Sequence, residues 1–246
     1  MLKITFKNVG QGDSIILEWL EQTQDTQQTQ PKKCIGIIDC KLYQGENPVL
    51  SHIIEENYQE IDFLLLSHPH DDHFSGFLEL LQHCESNHIK IKKFYHTSIQ
   101  VPDFLKVACK SITSSKDIAD LFRKLKNDDR KNKYVLQYIN AFSNPIKLGN
   151  TFEINCLSPS SREENDYPKS NNENYYDTDN DANNPKANLL STVLKITEKN
   201  LKIENPFVLL TSDAPKIVLE RLGKKEAESL KGLLSLGQSQ PATKNK

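Results

Sequence analysis

Histidine is missing from most of the chain. All seven, His52, His68, His70, His73, His83, His88 and His96, fall within the first 96 of 246 residues, so imidazole chemistry is confined to that part. Cysteine is scarce and scattered: Cys34, Cys40, Cys84, Cys109 and Cys156 are odd in number and show no Cys-x-x-Cys spacing. Neither a disulfide framework nor a zinc ribbon is indicated, and a reducing cytoplasm is expected. Long hydrophobic runs are absent. A stretch such as Phe207 to Leu210 is far below the roughly 20 residues that span a bilayer, and Leu2 to Lys7 reads as a first strand, not a secretion signal; a soluble chain without a membrane partner is expected. Neither sign of charge dominates, with 31 basic against 33 acidic residues, so nothing global favours nucleic acid. There is no Gly-x-x-x-x-Gly-Lys-Ser/Thr loop and no Gly-x-Ser-x-Gly elbow, which leaves nucleotide-driven and serine-hydrolase chemistry unsupported.

What is present is organised around one strand. Leu2 to Phe6 and Ser14 to Trp19 read as strands joined by the glycine-bearing turn Val9-Gly10-Gln11-Gly12-Asp13. Residues 21–33 and 160–187 are polar insertions with almost nothing to pack. Cys34 to Asp39 predicts a strand, Val49 to Tyr58 a helix, Ile61 to Leu66 a buried strand, Phe74 to Cys84 a helix and Ile89 to His96 a strand. Asp103 to Phe142 predicts two or three amphipathic helices, broken near Ser114-Ser115 and Asn127-Asp128-Asp129. Ile146 to Leu157 predicts a hairpin turning at Gly149-Asn150. Leu189 to Ile196 and Pro206 to Thr211 predict strands, and Ala214 to Leu222 a helix. Strands interleaved with helices and opened by hairpins imply a mixed α+β architecture.

The buried strand runs into Ser67-His68-Pro69-His70-Asp71-Asp72-His73. Residues two apart after a strand end can point the same way, so His68 and His70 can converge on one point while Asp72 and His73 reach a second beside it. Imidazole with carboxylate favours zinc and admits manganese. A chance His-x-His-x-Asp-His is expected on the order of a few times per ten thousand chains of this composition, so a metal site is the expectation, two ions being the layout. A divalent ion lowers the pKa of bound water to about 7, which makes hydrolysis by a metal-bound hydroxide the chemistry expected, and an anionic substrate the kind stabilised. Asp71 takes the variable position and is read as a solvated or supporting carboxylate.

Several segments in order resemble the metallo-β-lactamase superfamily, and in particular the hydrolase domain of bacterial competence DNA-uptake channel proteins. They are Val9-Gly10-Gln11-Gly12-Asp13-Ser14, Gly36-Ile37-Ile38-Asp39-Cys40, Leu66 to His73, Cys156-Leu157-Ser158-Pro159, Asn188 with Ser191-Thr192-Val193-Leu194, and Leu209-Leu210-Thr211-Ser212-Asp213-Ala214. The resemblance implies a four-layer αββα sandwich over residues 1–236, followed by a polar tail, 237–246. It implies His68 and His70 at one metal, Asp72 and His73 at the other, and Asp213 bridging them, with Asp72 and Asp213 also catalytic. Asp13 and Asp39 would support the site and Asn188 would stand where a mid-chain ligand is often found. The substrate implied is a phosphodiester, a class that includes nucleic acid. Taken alone, Asp213 also suits the cap of a helix starting near Ala214.

The chain departs from that pattern at its end. Leu233 to Gln240 falls where the superfamily carries a His-His-Gly stretch and offers only Gln238 and Ser239. An open position, a hard ion, a decayed site, a truncated chain or a ligand from a protein partner each accounts for this, and a catalytically impaired metal-binding subunit or scaffold is the alternative function. His96 either lines the same edge or simply ends its strand. Two other signals have bland readings. Asp177 to Ala182 imitates a calcium loop without its turn glycine, and the basic stretch Arg123 to Lys133 reads as a solvated helix face.

Overall fold

The alternating segments near the N-terminus do form strands. In the computed structural model, which describes residues 1–21, 31–97, 112–164, 186–199, 208–226 and 234–235, β1 (Leu2–Phe6), β2 (Ile15–Glu21) and β3 (Lys32–Ile38) pair in turn as antiparallel neighbours. Helix α1 (Pro48–Glu55) begins where Asn47 accepts a hydrogen bond from the Leu50 amide and Pro48 occupies the first turn, a position where no intrahelical donor is lost. Then come β4 (Glu60–Leu66), the short helix α2 (Asp71–Phe74), α3 (Phe77–Ser86), β5 (Lys90–His96), α4 (Ile112–Arg130) and β6 (Val135–Tyr138). These strands make a six-stranded sheet in chain order. From β3 to β6 its neighbours are parallel, so the C-terminal ends of four strands share one edge.

A second sheet, ordered β11-β10-β9-β8-β7, comprises β7 (Ile146–Leu148), β8 (Phe152–Ser158), β9 (Val193–Glu198), β10 (Val208–Leu210) and β11 (Leu234–Ser235). A 3₁₀ turn (Lys186–Leu190) precedes β9 and helix α5 (Lys216–Glu226) follows β10. Side-chain alternation sorts the apolar residues into three layers of core. Ile16, Ile37, Leu64, Leu66 and Phe94 pack outward against Val49 and Ile53 of α1, Phe77 and Leu80 of α3, and Leu121 and Leu125 of α4. Leu17, Ile38, Phe63, Leu65 and Tyr95 pack inward against Ile154, Leu194, Ile196 and Leu210 of the second sheet. Leu209 and Val193 meet Val218 and Leu222 of α5 on the far side. Helix, sheet, sheet, helix is the αββα sandwich expected. Gly36 lets the sheets' interior close, since a Cβ there would lie 2.2 Å from the Phe63 ring.

Four expectations need correction. Among the described residues of the segment predicted as helices, 112–142, there is one helix, α4, which runs unbroken through Ser114-Ser115 and Asn127-Asp128-Asp129, and then a strand, β6. A short apolar stretch such as Val135 to Tyr138 is ambiguous by periodicity, and the open side of β5 decides, pairing Phe94 with Leu136 and His96 with Tyr138. The helix expected from Phe74 is split in two, because the Gly76 amide is committed to the Cys40 carbonyl at 2.7 Å; Asp72 and His73 therefore sit inside a helical turn, not before a helix. The strand expected from Leu189 starts only at Val193, since the Thr192 amide donates to the Ser67 carbonyl instead of to a strand. The first insertion is shorter than expected, for Glu21 and Lys32 are paired strand residues. The calcium-like stretch, the tail 237–246, and Gln238 and Ser239 lie outside the described residues. In the basic stretch Arg123 faces water, while Lys124 and Lys133 are partly covered and pair with the buried Asp128 at 3.0 and 3.1 Å. No helix among the described residues is long and apolar enough to cross a membrane.

Candidate metal centre

The shared edge of the first sheet collects the residues singled out above. Asp39 follows β3, and its amide donates to Leu65 of β4. Its backbone is left-handed (φ 59), which turns the carboxylate back across the strand ends, where it accepts from the Ser67 amide at 2.7 Å, the Ser67 hydroxyl at 2.6 Å and His73 Nδ1 at 2.7 Å. Every one of these groups is buried. A histidine whose Nδ1–H is held by a carboxylate presents Nε2 in a fixed direction.

His68 and His73 lie with ring centroids 4.0 Å apart, and His68 Nε2 is 3.0 Å from His70 Nδ1. Asp213 arrives from the second sheet, in the turn after β10. Its Oδ2 stands 3.6 Å from His68 Nε2 and 3.7 Å from His73 Nε2, and Asp72 Oδ1 is 3.9 Å from His73 Nε2. Two groups of donors result, His68 with His70 and Asp213, and Asp72 with His73 and Asp213; Asp213 belongs to both. Asp13, Asp39 and His73 form a third such group. Helix α5 begins at Lys216 after Pro215, so Asp213 does not cap it, contrary to one reading of the sequence.

These residues fit a divalent cation. His73 Nε2 is buried and has no hydrogen-bond partner, although two carboxylates stand just beyond hydrogen-bond reach. Donors about 2.0 Å from a tetrahedral ion are about 3.3 Å from one another, and the spacings of 3.0 to 3.9 Å found here bracket that value. The electrostatics divide the two rings. Burial, with His73 alongside, holds His68 well below the usual imidazole range, leaving it neutral as a ligand must be. Burial also opposes charge on His73, but Asp39 and Asp213 outweigh it and raise that pKa well above the usual range. The His68 and His73 rings in turn hold Asp213 well below the ordinary carboxylate range.

Asp13 is carried by the glycine turn. A Cβ at Gly12 (φ +105) would sit 2.3 Å from the Asp72 carbonyl, and the Asp13 amide donates to that carbonyl at 3.1 Å. The turn is thus moulded onto α2. Burial, then the Asp39 charge, pushes the Asp13 carboxyl up to about 6. Asn188 is buried in the 3₁₀ turn, whose end is tied to the site by the Thr192 to Ser67 bond. His96 is buried edge-on between Phe122 of α4 and Tyr138 of β6 and belongs to none of the donor groups. Sequence reasoning missed Ser67 and Ser212. Their only signal was adjacency to His68 and Asp213.

Comparison with known proteins gives distant structural matches alone. No protein-family model matches the chain, and no curated protein does. Among solved structures, the metallo-β-lactamase fold protein YhfI from Bacillus subtilis is 14% identical with a TM-score of 0.43, over 86% of this chain and 62% of that one. A diphosphatase from the PhnP family is 12% identical with a TM-score of 0.37, over 85% of this chain and 56% of the other. An archaeal metallo-β-lactamase superfamily protein from Sulfolobus tokodaii is 14% identical with a TM-score of 0.32, over 63% and 54%. The chain spans less than two thirds of the length of each.

Proposed function

We propose that this chain is a metal-dependent hydrolase whose centre is held by His68, His70, Asp72, His73 and Asp213. The observation that carries the reading is the buried Nε2 of His73, left without a hydrogen bond while Asp213, from the opposite sheet, stands within 4 Å of both it and His68 Nε2. Divalent ions bound there, zinc or manganese by donor chemistry, would supply an activated water for attack on a phosphorus or carbonyl centre. The protein's own part follows from which side of the centre is open. The imidazoles of His68 and His73 are wholly buried, whereas the side chains of Asp72 and Asp213 are 33% and 43% exposed. Substrate therefore approaches the carboxylate side, where Asp72 can take the proton of the attacking water and Asp213, held well below the ordinary carboxylate range, acts as an anionic donor to the centre.

The substrate class, a phosphodiester and with it nucleic acid, follows the sequence resemblance to the competence-type hydrolase domain and is an analogy at the level of fold and motif. A second reading has an observation of its own. Among the described residues each donor group offers three donors and none comes from a histidine beyond His73, which suits a metal-holding subunit with impaired turnover whose missing element a partner supplies. The four described cysteines are free and buried, in keeping with a cytoplasmic setting. Metal content of the purified protein, with hydrolysis of a chromogenic phosphodiester compared before and after Asp72→Ala, separates the two. Metal with turnover that the substitution abolishes supports the hydrolase; tightly held metal with no turnover on phosphodiester, lactone, thioester or β-lactam supports the scaffold.

A further inference from the structure

His73 has a carboxylate behind it, and His68 does not. The atoms behind His68 Nδ1 are two hydroxyls, Ser67 Oγ at 3.2 Å and Ser212 Oγ at 3.2 Å. These hydroxyls are 2.8 Å from each other, and Ser67 Oγ is 2.6 Å from Asp39 Oδ2, the oxygen that also holds His73 Nδ1.

The proton directions in this chain are forced. Asp39 Oδ2 takes both His73 Nδ1 at 2.7 Å and Ser67 Oγ at 2.6 Å, and a carboxylate oxygen shared in this way accepts, so Ser67 must spend its single O–H on it. Ser67 Oγ is then an acceptor towards Ser212, and Ser212 must spend its own O–H on Ser67. Whichever hydroxyl faces His68 Nδ1 has only lone pairs left to offer, so the ring must carry its proton on Nδ1 and keep Nε2 bare, facing Asp213 and His70. We infer that Ser212 and Ser67 are positioning residues that extend the reach of Asp39 from His73 to His68, so that one carboxylate sets the tautomer of both histidines. The proposal rests on the metal-centre reading above only for what the bare Nε2 would bind.

The backbone of Ser212 is the second, independent observation. It is left-handed (φ 46), in the turn that joins β10 to Asp213. Glycine adopts that conformation freely, and a side chain there is strained. A serine in a glycine-shaped position is explained by a hydroxyl that is needed, and here that hydroxyl spans the two sheets.

That strain also makes the test clean, because Ser212→Gly removes the hydroxyl while relaxing the backbone. In metal-free protein, ¹⁵N NMR of the neutral His68 ring should show the Nδ1–H tautomer; in Ser212→Gly and in Ser67→Ala the Nε2–H form should gain population. Zinc affinity, measured by competition with a chelating dye, should fall about tenfold in either variant, the range seen when a ligand's supporting partner is lost. Since the chain is serial, the double variant should bind zinc no more weakly than Ser67→Ala alone. Unfolding by urea should leave Ser212→Gly at least as stable as the parent. An unchanged tautomer with unchanged zinc affinity in Ser212→Gly overturns the inference. Absence of zinc binding by the parent protein overturns the metal-centre reading instead, and the tautomer of His68 still decides this one. Should Ser67→Ala fail to fold, Ser212→Gly decides alone.

Discussion

The six-stranded sheet places Asp39, His68, His70, Asp72 and His73 at one edge through the ends of β3 and β4 and a single helical turn, while the five-stranded sheet sends Ser212 and Asp213 to the same edge from one loop. In the first group Asp39, His68 and His73 are bound into buried hydrogen bonds, with Asp39 accepting three and the loop backbones clasping one another through Cys40 and His73 at 2.8 Å. Of the second, Ser212 joins that network through its hydroxyl, whereas Asp213 stands partly in solvent, at distances too long for hydrogen bonds to the imidazoles. In one centre, then, the first sheet supplies a rigid cup and the second a hand laid over it. Changes to the cup should cost the fold, and changes to the hand should cost the metal.

The largest effect tests the cup directly. Asp39→Ala strips the acceptor from the Ser67 amide, the Ser67 hydroxyl and His73 Nδ1, all buried, and leaves a buried imidazolium without its partner. Loss of one member of such a buried group costs about 3 to 5 kcal/mol, so the urea midpoint should drop severely. A loss under about 1 kcal/mol would show the network to be slack.

Gly12→Ala should come next. It sets a methyl 2.3 Å from the Asp72 carbonyl at a positive φ, so either the turn or α2 must move. A cost of about 2 kcal/mol is expected, together with weakened zinc binding, because α2 carries both Asp72 and His73. Loss of stability with full zinc affinity would mean that the turn yields and the cup does not.

How much of this was legible follows the same division. The cup was readable because its candidate donors are neighbours in sequence: a buried run, then His68, His70, Asp72 and His73 at spacings that a strand end and a turn can deliver. The layered fold was readable from the alternation of apolar residues and the order of the segments. The hand was not readable from Asp213 itself, which alone looks like a helix cap; only its place in a succession of motifs marked it, and its approach to His68 spans 145 residues of sequence. Ser67 and Ser212 carry no pattern that separates them from ordinary turn serines. Strand β6 and the split between α2 and α3 were decided by partners distant in sequence, Phe94 for Leu136 and Cys40 for Gly76, which local periodicity does not record.

A third change asks whether burial in the first sheet is costly only at the metal edge. Glu18 of β2 is buried away from that edge. Burial pushes its carboxyl up, but hydrogen bonds from Lys3, Tyr58 and His52 outweigh this and bring it from 4.5 down to about 2. A depressed folded pKa contributes stability that is whole above the unfolded value and drains as the pH falls from about 4.5 to about 2. With the exposed Lys3 screened by solvent, the amount is on the order of 2 kcal/mol. Urea melts from pH 6 to pH 2.5 should show this loss, and Glu18→Gln should flatten it; an unaltered acid limb in that variant would place the sensitivity elsewhere.

The smallest effect on the fold should come from the residue that matters most to the hand. Asp213 has a side chain 43% exposed, makes no hydrogen bond to the imidazoles at 3.6 and 3.7 Å, and does not cap α5, whose first turn is closed by Pro215 accepting from Val218 at 2.9 Å. Asp213→Ala should therefore cost only about 1 kcal/mol of unfolding stability, its attraction to the imidazoles being weakened by its exposure, while His73 keeps its charge partner in Asp39. Zinc binding should behave quite differently. As the one donor common to both groups, Asp213 should weaken both positions when lost, whereas His70→Ala should weaken only the position it shares with His68. Calorimetric titration with zinc distinguishes these patterns: two sites weakened together by Asp213→Ala supports the shared donor, and a single site lost in each variant would mean that the two sheets hold their ions separately.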